Sequence, residues 1–218
     1  IERFDEKMKL EQNRRLVTYY SLLTQMRVNG GNDYINLVNS ILSGKCNQQA
    51  CLENYDFKVM SDFNRFNNLQ QKLEDEFTLS RMIAGYAWEW KSKKDKSLYD
   101  MELDGVKKQW NYRLENWVLS EGADKQVGCI HTIQGFDLNY GFVIMGNEIG
   151  YDPESKEIIV RPENYYDQNG RKTASKEELL EYIKHIYYVL MTRGIKGTYL
   201  YICDDNLRKY VSSIIGEI

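Results

Sequence analysis

Runs rich in β-branched and aromatic residues alternate along this chain with stretches of helical period. That alternation is its strongest constraint. FKVMSD at 57–62, SRMIAGYAWEW at 80–90, VGCI at 127–130, EIIV at 157–160 and TYLYIC at 198–203 read as strands. Between them, Tyr34, Leu37, Val38, Ile41 and Leu42 recur at helical spacing after the NGGN turn at 29–32, and Gly44 stands where a C-terminal glycine cap belongs. RFNNLQQKLEDEF at 65–77 is a polar helix. SKEELLEYIKHIYYVLMTR opens with Ser175 and Glu178 in capping-box spacing, carries Leu179, Leu180, Ile183, Ile186, Tyr187 and Leu190 on one face, and is ended by Gly194. DDNLRKYVSSII closes the chain as an amphipathic helix through Leu207, Tyr210, Val211 and Ile214. Strands joined through helices predict an α/β fold with a mainly parallel sheet covered on both faces.

Other stretches are less regular. Residues 8–22 open charged and become β-prone, and residues 91–118 are lysine-rich and aromatic without a clear period, as in an insertion or irregular connection. Tyr86, Trp88 and Trp90 are expected to share one strand face. At 218 residues, 42% hydrophobic and 28% charged, the chain can bury a sizeable core. No apolar run is long enough to cross a bilayer and no secretory signal opens the sequence, so a cytoplasmic protein without a membrane partner is expected. Cys46, Cys51, Cys129 and Cys203 include no CxxC and are expected as reduced thiols, with no metal site. A formal net charge of -3 offers no global attraction for nucleic acid, so such binding would need a local basic patch. Ile1 in place of Met leads us to expect a piece of a larger protein.

The chemistry gathers in three places. HTIQGFD at 131–137 follows the VGCI strand, where an open parallel sheet collects its ligands. Gly135 permits close backbone approach, Thr132 and Gln134 can bond phosphate oxygens or bases, and Asp137 can accept from a hydroxyl. YVLMTRG places Arg193 between a helix and a strand, and LLTQMR places Arg27 before a turn. Each has a plain reading as well: a strand-exit turn bonded to its own backbone, and solvated arginines of which Arg193 favours a helix dipole. Tyr86, Trp88 and Trp90, followed by Lys91, Lys93, Lys94 and Lys96, combine rings for stacking with cations for phosphates, although strand aromatics are commonly core.

Taken together and in this order, LLTQMR, HTIQGFD and YVLMTRG resemble the fourth, fifth and sixth motifs in the second RecA-like domain of superfamily-one helicases. The closer resemblance, across nearly the whole chain, is to the bacterial Schlafen-group-three-like DNA/RNA helicase domain, as RMIAGYAWEWKSKKD and QVGCIHTIQGFDLNYGFVIMG show. It implies a RecA-like three-layer sandwich over residues 1–218, the C-terminal lobe of an ATP-dependent helicase or translocase. It assigns Arg27 and Arg193 to the γ-phosphate of ATP bound between two lobes, Gln134 and Gly135 to the nucleotide, and Asp137, shorter than the family's glutamate, to the ribose hydroxyls. His131 and Thr132 would face the nucleic-acid track, with DNA or RNA, single-stranded, as partner. A P-loop and the ligands for Mg²⁺ are expected on an upstream domain. Gly44-Lys45-Cys46 lacks the required hydroxyl and has Asn39 where the first glycine belongs, and Glu74-Asp75-Glu76 reads as a solvated helix face. Two other classes stay open: a nucleotide-gated interaction or signalling module without unwinding, and a plain binding domain with degenerate motifs.

Overall fold

The computed structural model describes residues 26–167 and 174–218. The β-prone stretch at 8–22, and all of LLTQMR except Met26 and Arg27, lie outside the described residues. The chain runs through α1 (Gly31–Leu42), β1 (Asp56–Val59), α2 (Phe63–Phe77), β2 (Ser80–Ala84), β3 (Met101–Leu103), β4 (Val106–Lys108), β5 (Val127–Gly128), α3 (Ile130–Ile133), β6 (Leu138–Met145), β7 (Ile149–Asp152), β8 (Glu157–Val160), α4 (Lys176–Met191), β9 (Gly194–Ile202) and α5 (Asp205–Ile215). Five strands form one sheet in the order β1-β9-β6-β2-β5, and every neighbouring pair is parallel. Helices lie on both faces. The architecture is an α/β RecA-like three-layer sandwich.

Alternation along the strands divides the core. Val143, Met145, Leu200 and Ile202 point to the side covered by α1, α4 and α5, while Phe142, Ile144, Tyr199 and Tyr201 meet Phe63 and Phe66 of α2. The periodic helices form where expected, with the five apolar residues of α1 all buried and the Ser175–Glu178 capping box closed. Asp62 caps α2 by accepting from the amides of Asn64 and Arg65. Among the described residues no helix is long and apolar enough to cross a membrane.

Three expectations need correction. The strand read over 80–90 ends at Ala84, where its ladder with β6 stops, and a Cβ on the next residue, Gly85, would fall 2.6 Å from both Glu148 and Tyr187. Trp88 and Trp90 therefore lie on a loop and share no strand face. Glu74 is not solvated: its Oε2 pairs with Arg81 Nη1 at 2.6 Å and accepts from the Ser80 amide, leaving Asp75 and Glu76 to face water. Gly194 does not end α4 but opens β9. Within the irregular stretch, β3 and β4 form a short hairpin, and Trp110 bridges to Val127, covering the outer edge of β5. Trp110 and Trp117 are fully buried, so this stretch carries core of its own.

Candidate functional site

Arg27, the segment from Gln134 to Asp137, and Arg193 meet at the amino-terminal edge of the sheet. Parallel strands oblige the chain to return to its starting edge after each one, and the segment leaving β5 does so through the single turn of α3. Gln134 to Asp137 consequently stand at the entrance of β6, not at the carboxyl end where ligands of such sheets were expected. Leu138 pairs with Gly194, which brings the end of α4 alongside. Gly135 makes the turn with φ +86°, a conformation that disfavours any side chain. Beyond it, the Phe136 carbonyl accepts from Arg193 Nη1 at 3.4 Å, and Asp137 Oδ1 lies 3.1 Å from Arg27 Nε.

Asp137 thus pairs with Arg27 and acts on Arg193 through its charge. Arg193 is half-buried, its Nε is out of contact with water, and that atom has no hydrogen-bond partner among the described residues. Burial lowers its pKa, the like charge of Arg27 adds to that, and Asp137 opposes it. Arg27 and Asp137 are 44% and 43% exposed, so their pair is open to water. Gln134 and Gly135 are exposed beside it. Two guanidinium groups held close together suit an anion with several oxygens.

A tyrosine and threonine network, unseen in the sequence, holds the cluster in place. The Met191 carbonyl at the end of α4 accepts from Tyr34 at 2.7 Å and from Thr198 at 3.0 Å. Tyr55 donates to the Gly194 carbonyl at 3.0 Å and lies 2.8 Å from the Thr198 hydroxyl. Burial raises the Tyr34 pKa well above the usual range and pushes Tyr55 up to about 12, so both stay neutral donors. Thr192 closes α4 by donating to the Tyr188 carbonyl. The backbone on either side of Arg193 is therefore fixed from three directions.

The nucleic-acid candidates divide. Thr132 is buried, and its hydroxyl accepts from the Cys129 amide and donates to the Cys129 carbonyl, which caps α3. His131 is exposed, with its ring 5.9 Å from that of Tyr86. Tyr86, Trp88 and Trp90 surround Trp110 at centroid distances of 6.0, 6.4 and 6.3 Å. Trp88 and Trp90 are each partly exposed, and Lys93 lies over the Trp90 ring at 5.6 Å. Lys91, Lys93 and Lys94 are exposed on the same loop. This loop follows the carboxyl end of β2, whereas the arginine cluster stands at the entrances of β6 and β9. Among the described residues no group of His, Cys, Asp and Glu could hold a metal ion.

Sheet, helices and site together describe a RecA-like domain with arginines at one edge. A family model described as Schlafen group 3, DNA/RNA helicase domain, matches residues 1–204, and the chain belongs to that family. Its function is accordingly helicase-related. The uncharacterized protein YPL245W of Saccharomyces cerevisiae is 31% identical over 215 residues, which takes in 88% of this chain and 47% of the yeast protein. The chain thus spans about half the length of this relative, and the likeness is not confined to bacteria. No solved structure matches.

Proposed function

We propose that this chain is the C-terminal lobe of an ATP-dependent DNA/RNA helicase or translocase, and that it supplies Arg27 and Arg193 to ATP bound at a cleft with a P-loop lobe. The observation that carries the reading is the convergence of Arg27 and Arg193 at the sheet edge, around one half-exposed carboxylate. A transferring phosphoryl group gathers negative charge on its oxygens, and guanidinium donors held in place stabilise that charge without reorganising. Arg193 is fixed by the network beneath it, and Gln134 and Gly135 offer an exposed polar edge to the nucleotide. The P-loop lobe would hold Mg²⁺ and most of the triphosphate. His131, Trp88, Trp90, Lys91, Lys93 and Lys94 are the surface proposed for a single strand, where rings stack on bases and ammonium groups meet phosphates.

Lobe closure on ATP would move the strand relative to this loop. The test compares the complete protein with the 218-residue chain alone. Nucleic-acid-stimulated ATP hydrolysis by the former, with negligible turnover by the latter, is the expected result. Robust turnover by the rigorously purified chain would overturn the split site, and hydrolysis indifferent to any nucleic acid would favour a nucleotide-gated interaction module.

A further inference from the structure

We infer that Asp137 is a resident counter-ion, a carboxylate that occupies Arg27 until a polyphosphate displaces it, and not a ribose ligand; the inference rests on the proposed interlobe ATP site. Asp137 Oδ1 lies 3.1 Å from Arg27 Nε, so a carboxylate already stands where a phosphate oxygen would have to arrive. Arg193 is the neighbour that makes this arrangement incomplete. Among the described residues its buried Nε has no hydrogen-bond partner and its Nη1 donates to the Phe136 carbonyl at a long 3.4 Å, while Arg27 repels it. Asp137 pairs with Arg27, and among the described residues Arg193 has no ion-pair partner. A polyphosphate can engage both, because it carries several charged oxygens along its length.

The exposure of the pair makes the exchange feasible. Ion pairs this open to water contribute little, so an anion of higher charge can displace the carboxylate. The Gly135 turn, with left-handed backbone and open space beside it, leads the chain to Asp137 at the entrance of β6. The resident carboxylate would also discriminate: a monoanion gains too little from Arg27 to replace it, whereas a triphosphate gains from both arginines. The device therefore sets the threshold charge a ligand needs.

Inorganic tripolyphosphate separates this role from ribose contact, because it has the charge and no sugar. Its affinity, and that of ATP, would be measured on the complete protein as wild type, Asp137→Asn, Arg27→Ala and Arg193→Ala, with thermal melts to verify folding. Asp137→Asn is expected to bind tripolyphosphate about three- to tenfold more tightly, the scale of removing one half-screened like charge; binding that appears only in this variant counts the same way. Unchanged or weaker tripolyphosphate binding by Asp137→Asn, or a loss confined to ATP as ribose contact would give, overturns the inference. If Arg27→Ala and Arg193→Ala weaken tripolyphosphate binding while Asp137→Asn fails to strengthen it, the counter-ion role alone falls. If neither arginine matters to either ligand, the ATP-site reading falls with it.

Discussion

Glu148 is fully buried beyond the carboxyl end of β6; its Oε1 accepts from the Tyr187 hydroxyl, and its Oε2 meets no hydrogen-bond partner among the described residues. The same hydroxyl accepts from the Gly146 amide, so this acid and α4 together hold the turn against which Trp88 packs. Burial raises the Glu148 carboxyl from 4.5 to about 7, and the bond from Tyr187 opposes that only in part. Tyr187 on α4, Cys203 after β9 and Tyr165 are its titratable neighbours, each itself pushed upward by burial. A carboxyl whose folded pKa lies above its unfolded value favours folding fully below about 4.5, and that advantage disappears as pH rises to about 7. Across that window wild type should lose roughly 3 kcal/mol relative to Glu148→Gln, which keeps the acceptor for Tyr187 and cannot ionise. Melting curves of both proteins between pH 4.5 and 8 measure the difference. Parallel curves would show that Glu148 titrates as an ordinary carboxyl.

The loop from Tyr86 to Lys96 is the element in which burial and exposure are most mixed. Trp110 is fully buried and donates from Nε1 to the Trp88 carbonyl at 3.3 Å, whereas Trp88 and Trp90 each leave part of a ring in water. Trp110→Ala should therefore lower stability by about 3–5 kcal/mol, and Trp88→Ala or Trp90→Ala by less. If the loop receives a single strand, the outer tryptophans should instead weaken binding by about 1–3 kcal/mol each, and neutralising Lys91, Lys93, Lys94 and Lys96 together should flatten its salt dependence. Thermal melts and titrations at several salt concentrations distinguish the two effects; an unchanged salt slope would remove this loop from the track. The same loop marks where the sequence stops being legible. Helical period exposes α1, α4 and α5 because every turn repeats the signal, and their expected faces are buried except for Leu180 and Tyr210, which are only partly so. The alternation from Arg81 to Trp90 looks like a strand throughout, yet its pairing with β5 and β6 stops at Ile83 and Ala84, and those partner strands are distant in the chain. Strands as short as β3 and β4, three residues each, have no period to read.

At the scale of the whole molecule, the sheet brings together segments that local pattern could only name. HTIQGFD and YVLMTRG are readable as motifs, but not that Asp137 would pair with Arg27 or that Tyr34 would reach Met191 across 157 positions. Those contacts follow from strand order, because β6 and β9 are neighbours and their entrances face one edge. The same order separates the arginine cluster from the tryptophan loop, which leaves β2 at the opposite edge. In a motor, ATP and strand would then act on opposite ends of one rigid sheet. The most direct measurement of the central claim is steady-state ATP hydrolysis by the complete protein carrying Arg193→Ala, at saturating ATP and nucleic acid, beside wild type of equal melting temperature. An arginine that stabilises charge on the transferring phosphoryl predicts a fall of roughly 10³-fold or more, with Arg27→Ala acting in the same direction. Wild-type turnover in both variants would contradict the account.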